Sequence, residues 1–258
     1  MKLHIDINCD LGEGYGAFSV GNDAEIMPHI TSANIACGFH AGDPVTIGKT
    51  VSLAKKNKVA VGAHPSYPDI MGFGRREMQL TPEEVSSCTI YQIGALQGFA
   101  KAAGVSLQHV KPHGALYNTA AKDEETSKGV VDAVRELDDK LIILAPPKSV
   151  LAKVAVDAGL RVAYEFFADR AYNVDGSLVS RKQPNAIVKD PREVAKRVIN
   201  VVKEETVLAT NGKLIRLGEV HTICVHSDTP AAVTLAQALE KALNKAGVEV
   251  KPLGSFVK

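Results

Sequence analysis

The feature of this sequence that most restricts its fold is a regular alternation between short apolar segments and longer segments with helical periodicity. Short runs rich in β-branched residues predict strands, and the periodic segments between them predict amphipathic helices. This alternation is typical of βα units built around a parallel sheet. Strands are predicted at residues 4–9, 32–37, 59–63, 108–111, 141–145, 162–167 and 222–225. Helices are predicted at residues 44–56, 82–103, 124–137, 149–158, 191–205 and 230–246.

Predicted strands joined by crossover helices could form either an open, doubly wound sheet or a closed barrel. Two features favour an α/β fold of the β/α-barrel type. No GxGxxG sequence follows the first strand, and polar residues follow nearly every strand, as expected where all strand ends face one site. Residues 208–217 contain Asn211-Gly212 between apolar runs and predict a β-hairpin before the last strand. Because no linker or low-complexity tract interrupts the pattern, we expect residues 1–258 to form a single domain.

The composition is that of an ordinary globular protein, with 45% hydrophobic and 23% charged residues. A formal net charge of +1 favours neither nucleic acid nor an anionic membrane as a partner. Without a long apolar run or a signal peptide, we expect a cytoplasmic protein that does not enter a membrane. The four cysteines form no CxxC pair, which predicts reduced thiols. The sequence leaves the oligomeric state open, and a homo-oligomer is compatible with it.

The first predicted strand carries a polar stripe, because Asp6, Asn8 and Asp10 alternate with apolar residues. An edge strand with one solvated face would show the same pattern. A first strand in a parallel sheet is normally covered on both sides, however, and a buried carboxylate needs a cation or hydrogen-bond donors. We therefore predict that this stripe faces a polar interior or a ligand.

Histidines follow the next three predicted strands, as His40, His64 and His113, and Lys111 lies beside the third. One such histidine would most often be structural, but three at equivalent places in consecutive βα units predict a shared site. The later strands continue the pattern more weakly. Their polar residues are Glu165, Asp169, Arg170, His226, Ser227 and Asp228.

Imidazoles and carboxylates that converge on one point suit either a divalent metal or general acid–base chemistry. The sequence has no HxH or HExxH pair, no GxSxG elbow and no Walker A loop. Any nucleotide must therefore be held by other means. Two longer loops, residues 70–77 and 169–181, carry Arg75 and Arg170. They could be solvated loops, but we predict anion-binding lids, since arginine pairs with carboxylate or phosphate in a bidentate manner.

Four long motifs resemble the LamB/YcsF family, in the same order and over the whole chain. They are DINCDLGEG (residues 6–14), NIACGFHAGD (34–43), GAHPSYPD (62–69) and KPHGALYN (111–118). The resemblance implies a seven-stranded β/α barrel of the glycoside hydrolase/deacetylase type. It also implies a hydrolase that opens the cyclic amide of 5-oxoproline to L-glutamate, coupled to ATP hydrolysis, together with 5-oxoprolinase subunits B and C.

Deacetylases of that superfamily bind a metal through one Asp and two His at the strand ends. By analogy, Asp10, His40 and His64 could bind a divalent metal, Mg²⁺ or a similar ion, with His113 as an alternative ligand. The deacetylase motif itself, a His followed closely by a second His, is absent from this chain.

Strand-end position and family resemblance together give the predicted site. The predicted catalytic residues are Asp10, His64, Lys111 and His113. The predicted substrate-binding residues are Asp6, Asn8, Glu13, Asn34, His40, Arg75, Glu165 and Arg170. Two other functions stay open, namely a stand-alone metal-dependent deacetylase or amidohydrolase, and an accessory subunit that binds substrate while its partners perform the chemistry.

Overall fold

The computed structural model describes residues 3–226 and 232–258, with His226 described by its backbone alone. Its strands are β1 (His4–Leu11), β2 (Ser32–Ala36), β3 (Ala60–His64), β4 (Leu107–Val110), β5 (Ile142–Ala145), β6 (Arg161–Phe167), β7 (Thr206–Leu208), β8 (Leu214–Arg216), β9 (Thr222–His226) and β10 (Glu249–Val250). Its α-helices are α1 (Asp23–Ile26), α2 (Pro44–Asn57), α3 (Pro82–Ala103), α4 (Gly114–Ala120), α5 (Glu124–Leu137), α6 (Val150–Asp157), α7 (Pro191–Glu204) and α8 (Ala232–Lys245). Short 3₁₀ helices occupy Met27–His29 and Leu253–Ser255.

Strands β1 to β6 and β9 form a closed parallel barrel in which β9 pairs with both β6 and β1. The predicted seven-stranded β/α barrel is thereby confirmed. Strand β10 adds only a short parallel pairing at the start of β1. Strands β7 and β8 form an antiparallel hairpin around Asn211-Gly212, as predicted.

The predicted boundaries of the barrel elements agree closely with the structure, and those of α3 and α5 match it at both ends. Helix α8 lies within the predicted helix 230–246, whose first two residues fall outside the described residues. The elements that prediction missed are α1, α4 and β10. These have four, seven and two residues, too few to show a clear periodicity. Within residues 3–226 and 232–258, no helix combines the length and the hydropathy that a membrane crossing requires.

Local capping chemistry explains why the longer helices begin where they do. The Asp43 carboxylate accepts hydrogen bonds from the backbone N–H groups of Val45 and Thr46 at the start of α2. Thr81 and Glu84 form a reciprocal capping box at the start of α3. Such caps satisfy N–H groups that have no partner inside the helix, and each typically contributes about 1 kcal/mol.

The polar stripe of β1 faces the inside of the barrel. Every residue of β1 after His4 is buried, which excludes a solvated edge strand. The odd-numbered residues Ile5, Ile7 and Cys9 belong to the main apolar core, so the even-numbered residues point inward. The four cysteines are free thiols, as predicted.

The C-terminal segment closes the end of the barrel at which the strands begin. Leu253 and Val257 pack against Ile142, Leu144 and Ala163 in a separate apolar cluster. Since this end is filled by side chains, the end at which the strands terminate is the one that can receive a ligand.

Gly62 provides the space for a buried imidazole inside the barrel. The register between β3 and β4 shifts between Val61 and Gly62, and Gly62 lies opposite His109. A methyl group at residue 62 would meet the Nε2 atom of His109 at 2.0 Å. Glycine is therefore required here because a ring occupies the volume of a side chain.

We expect Gly62→Ala to lower the free energy of unfolding by about 1–3 kcal/mol, the usual cost of overpacking a core. Thermal or urea unfolding measures the change. Gly94→Ala is the matched control, because Gly94 lies in α3 with no atom within 4 Å of an added methyl group. That control should gain up to about 1 kcal/mol from helix propensity. Equal stability of Gly62→Ala and the unaltered protein would contradict the account.

Candidate active site at the carboxyl ends of the strands

The deepest polar residue of the barrel is Asp6, whose carboxylate is held by three hydroxyl groups. Its Oδ1 atom accepts hydrogen bonds from Thr31 at 2.6 Å and Ser32 at 2.7 Å, and its Oδ2 atom accepts one from Thr222. Burial raises the pKa of Asp6 to about 6, although the hydroxyl groups act in the opposite direction. The contacts of Asp6 are thus with barrel side chains, and a role for it in substrate binding stays a prediction.

Asn8 forms the next layer toward the strand ends and uses its whole amide group. Its Nδ2 atom donates to Thr222 Oγ1 at 2.7 Å and to Glu165 Oε1 at 3.0 Å. Its Oδ1 atom accepts from Asn34 Nδ2 at 2.7 Å and from Lys111 Nζ at 3.2 Å. With every donor and acceptor engaged, this amide can adopt only one orientation.

Asn34 extends the chain of hydrogen bonds to the strand end. Its Nδ2 atom also donates to Asp10 Oδ1 at 2.8 Å, and its Oδ1 atom lies 2.7 Å from His109 Nε2. Burial lowers the pKa of His109 to about 3, so this imidazole is neutral and donates from Nε2. Sequence analysis gave His109 no role, although its position two residues before Lys111 could have placed both side chains on one face.

Lys111 lies at the centre of the polar interior. Its ammonium nitrogen is 2.9 Å from Asp10 Oδ1, 2.8 Å from Glu165 Oε1 and 3.1 Å from Cys224 Sγ. Burial alone would lower the pKa of Lys111, but Asp10, Cys224 and Glu165 together raise it well above its ordinary value. The side chain is therefore a charged ammonium that neutralises part of the buried carboxylate charge.

Tyr117 is a second residue that sequence analysis missed. Its hydroxyl donates to Glu165 Oε2 at 2.7 Å, on the carboxylate oxygen that Lys111 does not contact. Tyr117 lies in α4, four residues after His113, so one helical turn brings both side chains toward the barrel.

The layer nearest the strand ends contains two imidazoles, and a backbone carbonyl fixes one nitrogen of each ring. We call this the outer nitrogen, since it points away from the other imidazole. His64 Nδ1 lies 2.7 Å from the carbonyl oxygen of Lys111, and His113 Nε2 lies 2.9 Å from that of Phe73. A carbonyl oxygen only accepts hydrogen bonds, so these two nitrogens carry the hydrogens. In the neutral rings, the lone pairs are therefore on His64 Nε2 and His113 Nδ1. These two atoms face each other at 2.9 Å, an arrangement that is repulsive unless a cation lies near both.

Glu13 and His40 complete this group, which we call the histidine cluster (Glu13, His40, His64 and His113). Glu13 Oε1 lies 3.2 Å from His40 Nε2 and 3.4 Å from His113 Nδ1. One candidate ligand atom from each residue lies within 4.8 Å of the others.

The predicted metal ligands were Asp10, His40 and His64, and their role as ligands stays a prediction. His40 and His64 belong to the histidine cluster, together with Glu13 and His113. Asp10 binds Lys111 and lies 3.4 Å from His64 Nε2. Asp10 thus connects the lysine to the imidazoles.

Electrostatics favour a metal ion over a proton in the histidine cluster. Burial and the neighbouring imidazoles lower the pKa of both His40 and His113 well below its ordinary value. Lys111 is one cation among the buried carboxylates of Asp10, Glu13 and Glu165. With these carboxylates ionised, a divalent cation would balance the remaining charge. The donor set therefore fits a divalent metal.

Residues 70–77 form a fixed wall over the histidine cluster. The Phe73 ring lies edge-on to the rings of His40 and His113, at 5.6 and 5.4 Å. Gly74 has a φ of +63°, and a methyl group there would collide with Ser66 Oγ at 2.2 Å. Arg75 is exposed, and its guanidinium lies 5.0 Å above the Phe73 ring. The loop predicted as a lid thus lies beside the histidine cluster. Anion binding by Arg75 stays a prediction.

The second predicted lid, residues 169–181, contains a buried arginine. Arg170 is buried, and its guanidinium donates to the carbonyl oxygen of Val179. Burial lowers the pKa of Arg170, with the nearby Arg181 acting in the same direction. Its proposed role in anion binding stays a prediction. The rim positions predicted at the end of the last strand, Ser227, Asp228 and the His226 side chain, lie outside the described residues.

Comparison with known proteins places this geometry in a family. The LamB/YcsF family model matches residues 5–258. The chain belongs to the LamB/YcsF family. A protein of Pyrococcus abyssi, named as the A subunit of 5-oxoprolinase, is 53% identical over 255 residues, which cover 99% of this chain and 100% of the relative. A protein of the same name from Pyrococcus furiosus is 52% identical over 256 residues, with the same coverage.

A solved structure agrees with this assignment. The crystal structure of a lactam utilization protein from Thermus thermophilus has a TM-score of 0.91 and is 48% identical, covering 96% of this chain and 99% of that one. The family resemblance of the four motifs is thus confirmed, and the LamB/YcsF chain described here shares its barrel with that structure.

The buried ion pairs of Lys111 generate a prediction about stability. Lys111→Met keeps the length of the side chain but leaves Asp10 and Glu165 without their cation, which should cost about 3–5 kcal/mol near neutral pH. The stranded carboxylates will have raised pKa values in the folded variant. Their unfavourable effect therefore grows as pH rises through the interval between the unfolded and folded pKa values.

Urea unfolding of Lys111→Met at several pH values between about 5 and 8 should show a deficit that increases with pH. Lys153→Met is the control, because Lys153 is exposed and its ion pair with Asp157 lies on the surface of α6. It should unfold like the unaltered protein. A small, pH-independent effect of Lys111→Met would show that the lysine is not needed to bury these carboxylates.

Proposed function

We propose that this LamB/YcsF protein opens the lactam ring of 5-oxoproline to give L-glutamate, as the A component of an ATP-dependent 5-oxoprolinase. Relatives at about half identity along the whole chain bear that name, and this observation carries the proposal. The strand-end site supports it, because it combines carboxylates, imidazoles and a lysine, the groups that adding water to an amide requires.

A five-membered lactam is nearly unstrained, and its carbonyl carbon is a poor electrophile. We propose that the lactam oxygen attacks the γ-phosphorus of ATP, which forms an O–P bond and releases ADP. Water then adds to the activated carbon and the C–N bond breaks, which leaves an acyl phosphate on the opened chain. A second water hydrolyses this acyl phosphate to the carboxylate of L-glutamate and phosphate. A proton must be removed from the water and one delivered to the ring nitrogen.

Asp10 is the carboxylate of β1 best placed to serve the reaction. Asp6 and Asn8 are completely buried, whereas Asp10 at the strand end is 8% exposed. We assign proton transfer to Asp10, whose neighbouring imidazole, His64, belongs to the proposed metal site. The buried ammonium of Lys111 lies 2.9 Å from the Asp10 carboxylate and compensates its charge. Arg75 and Arg170 would bind phosphate or the substrate carboxylate.

The histidine cluster would hold a divalent metal ion. When bound, such an ion supplies Lewis acidity toward a carbonyl or water oxygen. Imidazole nitrogens suit first-row transition metals such as Zn²⁺ better than Mg²⁺, which prefers oxygen ligands. We therefore propose that the cluster holds a transition-metal ion, in place of the Mg²⁺ or similar ion expected from the sequence.

Partner subunits complete the proposal. The sequence has no Walker A loop, and we propose that ATP is bound together with 5-oxoprolinase subunits B and C. Because the reaction consumes ATP, we place the complex in the cytoplasm. In this scheme the present chain alone binds lactam but does not turn it over.

We expect Asp10→Ala, His64→Ala and His113→Ala each to lower ATP-coupled glutamate formation by the reconstituted complex by about 10²–10⁴-fold, because Asp10 acts as an acid–base group and the two imidazoles hold the metal. Glutamate and phosphate are measured together, and circular dichroism checks that each variant is folded. Lys153→Ala, on the exposed face of α6, is the control and should retain full activity.

Full activity in all three site variants would refute the assignment of the reaction to this chain. That result would favour an accessory role for this chain, in which the partner subunits perform the chemistry. Hydrolysis of an acetylated sugar by this chain alone would instead favour a deacetylase.

Elemental analysis of the purified chain tests the metal. We expect about one divalent transition-metal ion per chain, since the cluster offers one set of ligands. Removal by a chelator should abolish lactam hydrolysis by the complex, and re-addition should restore it. Metal-free protein with undiminished activity would contradict the metal proposal while leaving the lactam reaction intact.

A further inference from the structure

His40 differs from the other two imidazoles of the histidine cluster in the partner of its outer nitrogen. The Nδ1 atom of His40 is buried and has no hydrogen-bond partner among the described residues. The corresponding nitrogens of His64 and His113 both donate to backbone carbonyls. A histidine that binds a metal almost always donates its other N–H to an acceptor, which fixes its tautomer.

Ring geometry gives a second, independent distinction. His40 and His113 are stacked, with centroids 3.8 Å apart and planes inclined by only 4°. A metal lies in the plane of the imidazole that binds it, along the nitrogen lone pair. An ion in the plane of His113 would lie about 3.5 Å, one van der Waals contact, above the plane of His40. That offset exceeds a metal–nitrogen bond of about 2.0–2.1 Å, so one ion cannot bind both rings in this arrangement.

His64 has no such conflict with His113. Their planes are inclined by 89° and their lone-pair nitrogens face each other at 2.9 Å. Perpendicular planes meet along a line, and an ion near that line is in the plane of both rings. The ring of His40 is inclined to that of His64 by a similar 87°, so the angle alone does not separate the two stacked imidazoles. The nitrogen contacts do, because His113 Nδ1 lies against His64 Nε2 whereas His40 Nε2 lies against Glu13 Oε1.

We propose that the metal ligands of the cluster are Glu13, His64 and His113, and that His40 is a positioning residue that holds Glu13. In this arrangement His40 donates its Nε2 hydrogen to Glu13 Oε1, from which it is separated by 3.2 Å. The hydrogen bond to a carboxylate is charge-assisted and restricts Glu13 to one rotamer. The proposal rests on the metal of the proposed function and replaces the expectation that His40 itself is a ligand.

The carboxylate contact also explains the unpartnered nitrogen. If His40 bound the metal through Nε2, its hydrogen would be on Nδ1, a buried donor without an acceptor among the described residues. With the hydrogen on Nε2, the unpartnered atom is a lone pair, and buried acceptors without a partner are less rare than buried donors.

Metal affinity of the purified chain, measured by competition with a chromophoric chelator for Zn²⁺, tests the proposal without reference to activity. His40→Gln can still donate an N–H to Glu13, and we expect one ion per chain with affinity reduced less than tenfold. His40→Ala removes the donor and should weaken binding about 10–100-fold, as is typical for partners of metal ligands. His64→Gln and His113→Gln remove ligands and should abolish binding under the same conditions.

X-ray absorption spectroscopy of the zinc-loaded chain counts the imidazoles directly. We expect two in the unaltered protein and two in His40→Gln, and thermal unfolding checks that each variant is folded. Three imidazoles that fall to two in His40→Gln, or loss of zinc from His40→Gln as complete as from His64→Gln, would overturn the proposal and leave the metal site standing. An unaltered chain that binds no zinc would instead refute the metal site itself.

Discussion

The ammonium group of Lys111 allows the barrel to bury two carboxylates that an apolar interior would exclude. It contacts Asp10 and Glu165 at 2.9 and 2.8 Å, inside a space that in most β/α barrels is filled by branched apolar side chains. Breaking such a buried pair usually costs about 3–5 kcal/mol, because one charge is left without compensation. The amides of Asn8 and Asn34 extend this network from the hydroxyl groups around Asp6 to the strand ends. The position of Asp10 at the mouth of the barrel thus depends on contacts several layers below it.

Two backbone carbonyls give this supporting network the geometry of a candidate cation site. The carbonyl of Lys111 orients His64, while the carbonyl of Phe73 orients His113. Because both imidazoles carry their hydrogens on the outside, their lone pairs converge. The same residue, Lys111, therefore holds Asp10 through its side chain and His64 through its backbone. In the proposed reaction, proton-transfer groups and metal ligands share a common support, so a change in one should be felt by the other.

Much of the fold could be predicted from the sequence because its signals are local. The strict alternation of polar and apolar residues in β1 and the recurrence of histidines after β2, at the end of β3 and before α4 depend only on period and order. The contacts between these residues could not be predicted, since they depend on register. His109 and Tyr117 enter the network through a bulge and a short helix, neither of which has a clear sequence signal. The lone-pair directions that distinguish His113 from His40 depend on a loop carbonyl at Phe73, which no motif specifies. That residues 1–258 form one domain stays a prediction, as do the individual roles of the substrate-binding residues.

Anomalous diffraction from a crystal of the zinc-loaded chain is the most direct test of the central claim, that converging imidazole lone pairs create a metal site at the strand ends. We predict one anomalous peak within bonding distance of His64 Nε2 and His113 Nδ1, with a Glu13 oxygen as a further ligand. A peak bound by Asp10 and His40 without His113, or no peak inside the barrel mouth, would contradict that claim.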